Sequence, residues 1–420
     1  RYPWPGIELE QKQRDLVPLV SENVVAEAKK AHKEKQSKLE AEVKPLEGEI
    51  KNAQDDAKKK LEKQLADAKK AVENHNNTPL PFEQAYAVAD APKIEDVTIQ
   101  IKGDPEKKGP MVPRHFPTVM GGAEVPRDTK SSGRRELADW IVSRENPLAA
   151  RVMANRIWHY HFGRGLVPTP NDFGKQGKLP THPELLDYLA TRFVDSGWSI
   201  KSMHRLIMLA RTYQLSSARS DDALARDASN ELLTAFPRRR LDAESIRDTM
   251  LALAAATDER AAGPHPFPPQ TEWKFTQHNP FKATYETRHR SIYLMTQRIQ
   301  RDPYLAIFDG ADPAASTAFR TTSTTPLQAL YLLNDKFVHE QARGFAKRLL
   351  EITGDEPRIT RAYEMAFARP PTPDEVEKSA GFIKAVREKL EAKKSKDTEL
   401  ETWRSFTRAL FRLNEFVYID

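Results

Sequence analysis

Apolar residues near the start of the chain fall on a narrow seam. Leu39, Val43, Leu46, Ile50, Ala53 and Ala57 alternate four and three residues apart, and Leu61, Leu65, Ala68 and Val72 resume the seam after one stutter. That spacing keeps one stripe of a helix turned toward a partner helix, as in coiled coils. Around the seam, residues 21–74 are rich in Ala, Lys, Glu and Gln and contain no Phe, Tyr or Trp, a composition typical of long solvated helices. Pro45 and Gly48 interrupt the run; proline removes an intrahelical hydrogen bond and glycine weakens a helix by about 1 kcal/mol relative to alanine. The pattern predicts a coiled-coil helical hairpin over residues 21–77, turning near those two residues. Residues 1–20, with Tyr2-Pro3-Trp4-Pro5-Gly6 and Arg14-Asp15-Leu16-Val17-Pro18, are too short and proline-rich for an element of their own and are expected to be the tail of a preceding domain.

The period then changes. Between Thr78 and Gly122 prolines crowd, yet residues 85–89 and 97–101 alternate as short strands do, so residues 78–125 are expected to form a small β and loop element. From Ser132 helix signals dominate. Arg134 to Ser143 opens the series, and Asn146-Pro147 offers a cap and an N1 proline for a helix that Gly163 stops. Thr181-His182-Pro183-Glu184 reads as a capping box before the face Leu185, Leu186, Leu189, Ala190 and Phe193, and Ser199 and Asp242 read as caps of later helices. Thr325-Pro326 starts an apolar-periodic stretch through Leu350, broken at Asn334-Asp335. Thr372-Pro373-Asp374-Glu375 repeats the capping pattern, and Trp403, Phe406, Leu410 and Leu413 line a final helix. Ser291 to Met295 reads as a lone strand. The fold class is therefore mainly α: a multi-helix bundle with the N-terminal hairpin and a small β element. Helical lobe one is assigned to residues 126–260, a proline-rich surface loop to 261–290 and helical lobe two to 291–420.

Composition narrows the chemistry. The chain has 420 residues, no cysteine, and 66 basic against 60 acidic residues, a formal net charge of +6. Absence of cysteine excludes disulfides, thiolate nucleophiles, iron–sulfur clusters and covalent haem attachment within the segment. It also suits an oxidising compartment. The mixed charge does not point to nucleic acid as a partner, and no run reaches the roughly 20 apolar residues of a membrane span. The sequence starts at Arg1 rather than Met, which reads as a cut or processed end and leaves room for a targeting signal upstream.

Several separated blocks carry a family resemblance. Gly133-Arg134-Arg135-Glu136-Leu137-Ala138, Asn146-Pro147-Leu148-Ala149-Ala150-Arg151-Val152, Asn155-Arg156-Ile157-Trp158, Thr181-His182-Pro183-Glu184-Leu185-Leu186, Gly197-Trp198-Ser199-Ile200-Lys201, Arg240-Leu241-Asp242-Ala243-Glu244, Arg290-Ser291-Ile292-Tyr293-Leu294, Phe308-Asp309 and Asn414-Glu415-Phe416-Val417-Tyr418 resemble a bacterial family abundant in planctomycetes, domain of unknown function 1553. The likeness runs from about residue 110 onward. It implies an exported, extracytoplasmic protein at the periplasm or cell surface, with a cytochrome c-like haem module upstream and a redox or surface protein partner. The end of a second upstream domain in such proteins looks like Tyr2-Pro3-Trp4-Pro5-Gly6. The resemblance supplies no catalytic residues and no cofactor within this segment.

Candidate chemistry has to be read from the residues. Arg151, Asn155 and His159 stand four apart, which aligns them on one helical stripe beside Arg156 and His161. With Asp172, His182 and Arg211 from adjoining segments they would bind an anion or place a proton donor. The simpler reading, which we favour, has the same residues pairing with carboxylates and fixing helix packing. No metal is expected: His159 and His161 face different sides of a helix and no His-Glu-x-x-His motif occurs. Asp302, Asp309 and Asp312 read as turn and cap residues. Arg238-Arg239-Arg240 precedes a helix N-terminus that repels cations, so the run must be solvated, paired with acids such as Glu244, or available to a partner. Trp140, Trp158, Trp198 and Trp403 read as core; Trp273, with Phe267 and Phe275, reads as surface. No nucleophile elbow, phosphate loop or dinucleotide fingerprint is found. Two functions remain: an accessory or docking helical module of a cytochrome c-linked protein, or an extracytoplasmic enzyme, such as a hydrolase of polysaccharide-derived substrates, using the Arg151/His159 stripe or paired carboxylates.

Overall fold

The polar N-terminal run does form two helices. The computed structural model describes residues 16–52, 55–76, 78–86, 88, 90, 93–122, 124–126, 131–260, 263, 285–298 and 301–419. Helix α1 (Glu22–Asn52) packs along α2 (Asp55–Asn76). Its half-buried positions, Val25, Ala28, His32, Gln36, Leu39, Val43, Leu46 and Ile50, continue the seam read from the sequence, and Leu61, Leu65, Ala68, Val72 and His75 face them from α2. His32 stacks on His75 at 4.1 Å, and Lys69 reaches Glu47 at 2.8 Å. The two contacts step in opposite directions along the two helices, so the pair is antiparallel.

The turn is not where proline placed it. Helix α1 runs through Pro45 and Gly48 to Asn52, and residues 53 and 54 lie outside the described part. Pro45 cannot donate to the carbonyl of Ala41, but both residues are on the exposed side, where water takes that carbonyl and softens the penalty.

Two small antiparallel ladders follow. Strand β1 (Leu16–Pro18) pairs with β2 (Gln84–Tyr86), and β3 (Val97–Gln100) with β4 (Lys108–Val112). Leu16–Pro18 is therefore an element after all, its hydrogen bonds supplied by a partner distant in sequence. These strands and the hairpin belong to one compact unit, residues 1–114 with 126–133; residues 115–125 and 134–420 form the other.

The second unit holds the helical cores. Helix α3 (Arg134–Ile141) stacks Trp140 on Phe116 at 5.1 Å. Helices α4 (Ala149–Phe162), α5 (Pro183–Asp195) and α6 (Ile200–Met208) bury Ile157, Trp158, Phe162, Leu189, Phe193, Met203 and Ile207 together. Asn146 accepts from the N–H groups of Leu148 and Ala149, so it caps α4 although regular helix begins later. Gly163, at φ +75°, ends α4 in the left-handed conformation that glycine adopts without steric cost. The capping box expected at Thr181 does not form. His182 is the N-cap, while the Thr181 N–H and hydroxyl are both drawn to the Leu166 carbonyl.

After α7 (Asp221–Arg226) and β5 (Arg239–Arg240) comes α8 (Ala243–Leu253), capped by Asp242 through the Ser245 N–H at 2.8 Å. The expected lobe boundary at residue 260 places α8 in the first lobe. Its Ala243, Ile246, Met250 and Leu253 instead join a second core with α9 (Pro303–Ile307), α10 (Pro326–Asn334), α11 (Lys336–Leu350), α12 (Asp355–Phe367), α13 (Pro373–Ala392) and α14 (Thr398–Leu410). Phe345 of α11 and Trp403 of α14 are fully buried there. The division between cores thus falls before α8, because its apolar stripe finds its complement on α11. Ser291–Tyr293 is a 3-10 turn rather than a strand: Asp248 Oδ1 accepts both the N–H and hydroxyl of Ser291, at 2.8 and 2.7 Å, which coils the backbone. Finally α15 (Asn414–Val417) leads into β6 (Tyr418–Ile419), which pairs antiparallel with β5. Most of the proline-rich stretch, with Phe267, Trp273 and Phe275, lies outside the described residues, as do Tyr2-Pro3-Trp4-Pro5-Gly6.

A charged clamp sets the acid response of α13. Thr372 and Glu375 form the expected capping box, and Arg369 bridges Glu375 at 2.7 Å and Glu415 at 2.6 Å. The Arg369 guanidinium holds the Glu375 carboxyl down to about 2. A carboxylate whose pKa falls on folding adds stability above its unfolded value, and that stability is lost as pH drops through the folded one. Chemical denaturation between pH 5 and about 2 should therefore show declining stability, and Glu375→Gln should be weaker at neutral pH with a flatter acid limb; an unchanged limb would exclude the clamp.

Candidate functional site

Four-residue spacing places Arg151, Asn155 and His159 on α4, but the surroundings give them separate tasks. Asn155 is fully buried. Its Nδ2 donates to the Val167 carbonyl at 3.0 Å and its Oδ1 accepts the Val167 N–H at 2.8 Å. The loop after α4 is thereby held on the helix by a side chain imitating a strand partner. Gly165 lies so close that a Cβ there would sit 2.7 Å from the Asn155 amide nitrogen, hence the glycine. Arg151 donates through Nε to Asp187 of α5 at 2.5 Å and through Nη1 to the Pro147 carbonyl. That hydrogen bond raises the Arg151 pKa and lowers that of Asp187.

The remaining candidates disperse. Arg156 donates to Asn171 at 3.0 Å. Asp172 Oδ1 accepts the Gly174 N–H at 2.8 Å, a turn role. His182 Nδ1 meets the Thr181 hydroxyl at 3.0 Å. Arg211 is exposed at the start of the 3-10 turn Arg211–Gln214. His159 is half-buried, and burial holds its imidazole below the usual pKa. Among the described residues no hydrogen bond or ion pair joins any two of these seven. A pairing absent from the sequence reading stands beside them: His161 Nε2 and His204 Nδ1 are 2.7 Å apart, with Tyr213 edge-on to His161. Burial first, then the charges of His204 and Arg239, push the His161 pKa down.

Of the basic run, Arg240 is buried against Asp309 at 3.5 Å, donates to the Ser323 carbonyl, and reaches Gln328 Oε1 at 2.8 Å. Glu244, the acid expected for the run, pairs with Arg320 instead at 2.7 Å. Asp302 caps α9 and Asp312 closes a turn onto Ala314.

Two concave features stand out. The first is a groove of about 640 Å³ along α5 and α6, floored by Met203, Leu206, Leu209 and Ala210 and edged by Arg192 and Arg205. Helix α6 is apolar on both sides: Met203 and Ile207 point inward, while Ile200, Met208 and Leu209 are exposed, Leu209 at 65%. Arg192, Lys201, Arg205 and Arg211 are exposed as well, and no carboxylate among the described residues pairs with them; Asp195, also in the groove, is held by Arg144 at 3.0 Å.

The second is a cleft of about 630 Å³ between α8, α9, α10 and α11. Arg247, only 7% exposed, lies at its base. Its Nη1 donates to the His289 carbonyl and Ser291 hydroxyl, its Nη2 to the Thr287 carbonyl at 2.6 Å, and the Phe337 ring lies 5.4 Å from the guanidinium. Burial lowers the Arg247 pKa, partly countered by Asp248. Burial and Asp335 push the Tyr331 phenol well above its ordinary range. The sequence did carry a signal for this site: Arg247 sits four residues after Ala243 and three before Met250, squarely on the apolar stripe of α8, where an unpaired arginine would be costly.

Neither the curated proteins nor the solved structures contain a match to the chain. A family model does match, over residues 133–383, from the start of α3 into α13. With well over half its length in that match, the chain belongs to the PSD1 family, proteins of unknown function designated DUF1553.

Proposed function

We propose that this chain is an accessory docking module, without a reaction of its own, in an exported planctomycete protein that carries a cytochrome c-like haem module upstream. The observation that carries this reading is the groove along α5 and α6: an apolar floor edged by arginines that pair with no carboxylate among the described residues. Leaving Leu209 in water, 65% exposed, is unfavourable by about 25 cal/mol for each Å² of apolar surface, and a partner that covers it recovers that free energy. The partner's chemistry follows from the rim: a redox or cell-surface protein presenting carboxylates beside leucine-like side chains, drawn in by charge and held by burial. Nucleic acid is a poorer fit, because the cations are few and apolar residues fill the spaces between them.

The enzymatic alternative, a hydrolase of polysaccharide-derived substrates working through the Arg151/His159 stripe, is weakened by the commitment of Arg151 to Asp187 and of Asn155 to Val167. Location in the periplasm or at the cell surface, an upstream haem c and a coiled-coil character of the α1–α2 hairpin belong to the same proposal. They are supported by the family resemblance, by the cysteine-free composition and by the seam spacing.

A synthetic amphipathic peptide with Glu and Leu at helical spacing provides the test, with a Lys/Leu peptide as control. Fluorescence polarisation should show the acidic peptide binding in a salt-sensitive way, with affinity reduced about tenfold or more by Arg192→Glu with Arg205→Glu. Equal binding of both peptides, or none, would refute the docking face. An absorbance spectrum of the full-length reduced protein tests the haem context separately.

A further inference from the structure

We propose that the cleft over Arg247 is a binding site for an uncharged, hydroxyl-rich ligand of mono- or disaccharide size. The site is independent of the docking groove: it lies between α8 and α11 in the second core.

Three buried polar side chains meet the cleft, and they differ in kind. Arg247 is a cation, Asp302 an anion and Gln341 a neutral donor and acceptor, each less than 10% exposed. Backbone contacts fix two of them. Arg247 is held by the Thr287 and His289 carbonyls, and Asp302 by the Leu305 N–H, so their orientation is set before a ligand arrives. Around them the walls carry Glu286, Asp335 and Glu340 as well as Arg288 and Lys336. A ligand with a net charge would meet repulsion from one set or the other. A sugar would not, since each hydroxyl both donates and accepts and can bridge a carboxylate to a guanidinium or an amide.

Shape agrees with that chemistry. A volume of about 630 Å³ lies within the usual range for small-molecule sites, roughly 300–1,000 Å³. Tyr331, Phe337, Leu294 and Pro303 line the cleft, giving it apolar wall that the C–H side of a pyranose can cover. Lys336 and Glu340, 3.5 Å apart and both largely exposed, stand at the mouth, where a surface ion pair contributes little to folding. They can therefore be changed without unfolding the chain.

The experiment uses the full chain and named probes: cellobiose, maltose and xylobiose as neutral disaccharides, with galacturonic acid and glucosamine as charged controls. Saturation-transfer NMR with calorimetric titration should detect at least one neutral disaccharide at millimolar concentration or below and neither charged sugar more tightly. Glu340→Gln should weaken that binding several-fold, and Gln341→Leu should reduce it about tenfold or more by leaving a sugar hydroxyl without its partner. If Gln341→Leu does not fold, Glu340→Gln and Lys336→Met carry the test. Failure of all three neutral probes, preference for a charged sugar, or affinity unchanged in the mouth variants would overturn the proposal; none of these results bears on peptide binding at α6.

Discussion

Replacing Asn155 by leucine should lower the unfolding free energy by roughly 2–6 kcal/mol, because two buried backbone groups lose their partners at about 1–3 kcal/mol each. The groups are the N–H and carbonyl of Val167, both satisfied by the Asn155 amide, and leucine offers neither donor nor acceptor in a position with no solvent access. For a unit of this size each kcal/mol corresponds to about 2–4 °C, so thermal unfolding followed by circular dichroism should shift downward by about 4–24 °C. Asn155→Asp makes the test sharper. The carboxyl can accept from the Val167 N–H, but it can donate to the Val167 carbonyl only while protonated. Its folded-state pKa is therefore raised, and the variant should lose stability as pH rises through that value. A leucine variant of native stability would reject the packing role and return Asn155 to the list of functional candidates.

Arg240→Met should cost a similar amount, roughly 3–5 kcal/mol, the usual penalty for removing one member of a buried ion pair. The side chain is 8% exposed, and its guanidinium serves Asp309, the Ser323 carbonyl and Gln328 together. Asp309 itself adopts a left-handed backbone, φ +60°, unusual for a residue with a side chain, and the Ser323 N–H and hydroxyl hold it there at 2.8 Å. Without Arg240 that carboxylate is left partly buried and short of positive charge. Arg239→Met provides the contrast: its Nη1 donates to the Tyr160 carbonyl at 2.9 Å from a half-buried position, a single neutral-acceptor bond worth about 1.5–3 kcal/mol at most. Denaturant unfolding monitored by the buried Trp403 should separate the two; equal small losses would mean that the network does not support the second core.

The helices were legible because their signals are local. Ser199, Asp242 and Thr372 cap as their side chains dictate, and Asp335 ends α10 and opens α11. Where two partners compete, the same motif gives different results. Thr372 forms its box with Glu375, whereas Thr181 is captured by the Leu166 carbonyl, a residue no local rule could select. The strand at Leu16–Pro18, the assignment of α8 to the second core and the coiling of Ser291 all depend on distant partners, Gln84–Tyr86, α11 and Asp248 respectively. The site divides the same way. Helical spacing aligned Arg151, Asn155 and His159 correctly but was silent about what faced them, and the Arg247 cleft exists only where four helices converge.

The joining of β5 to β6 has a bearing on how the protein is made. Helix α8 leaves the ribosome long before α11 and α14, the surfaces that cover Ile246 and Met250, and the β ladder beside it cannot close until Tyr418 has been added. During synthesis the helices of the first core can assemble before Ile419 arrives to pack against them, while α8 waits with its greasy side uncovered. The second core therefore closes late relative to the first, and a holdase that shields α8 in that interval would raise the yield of folded protein.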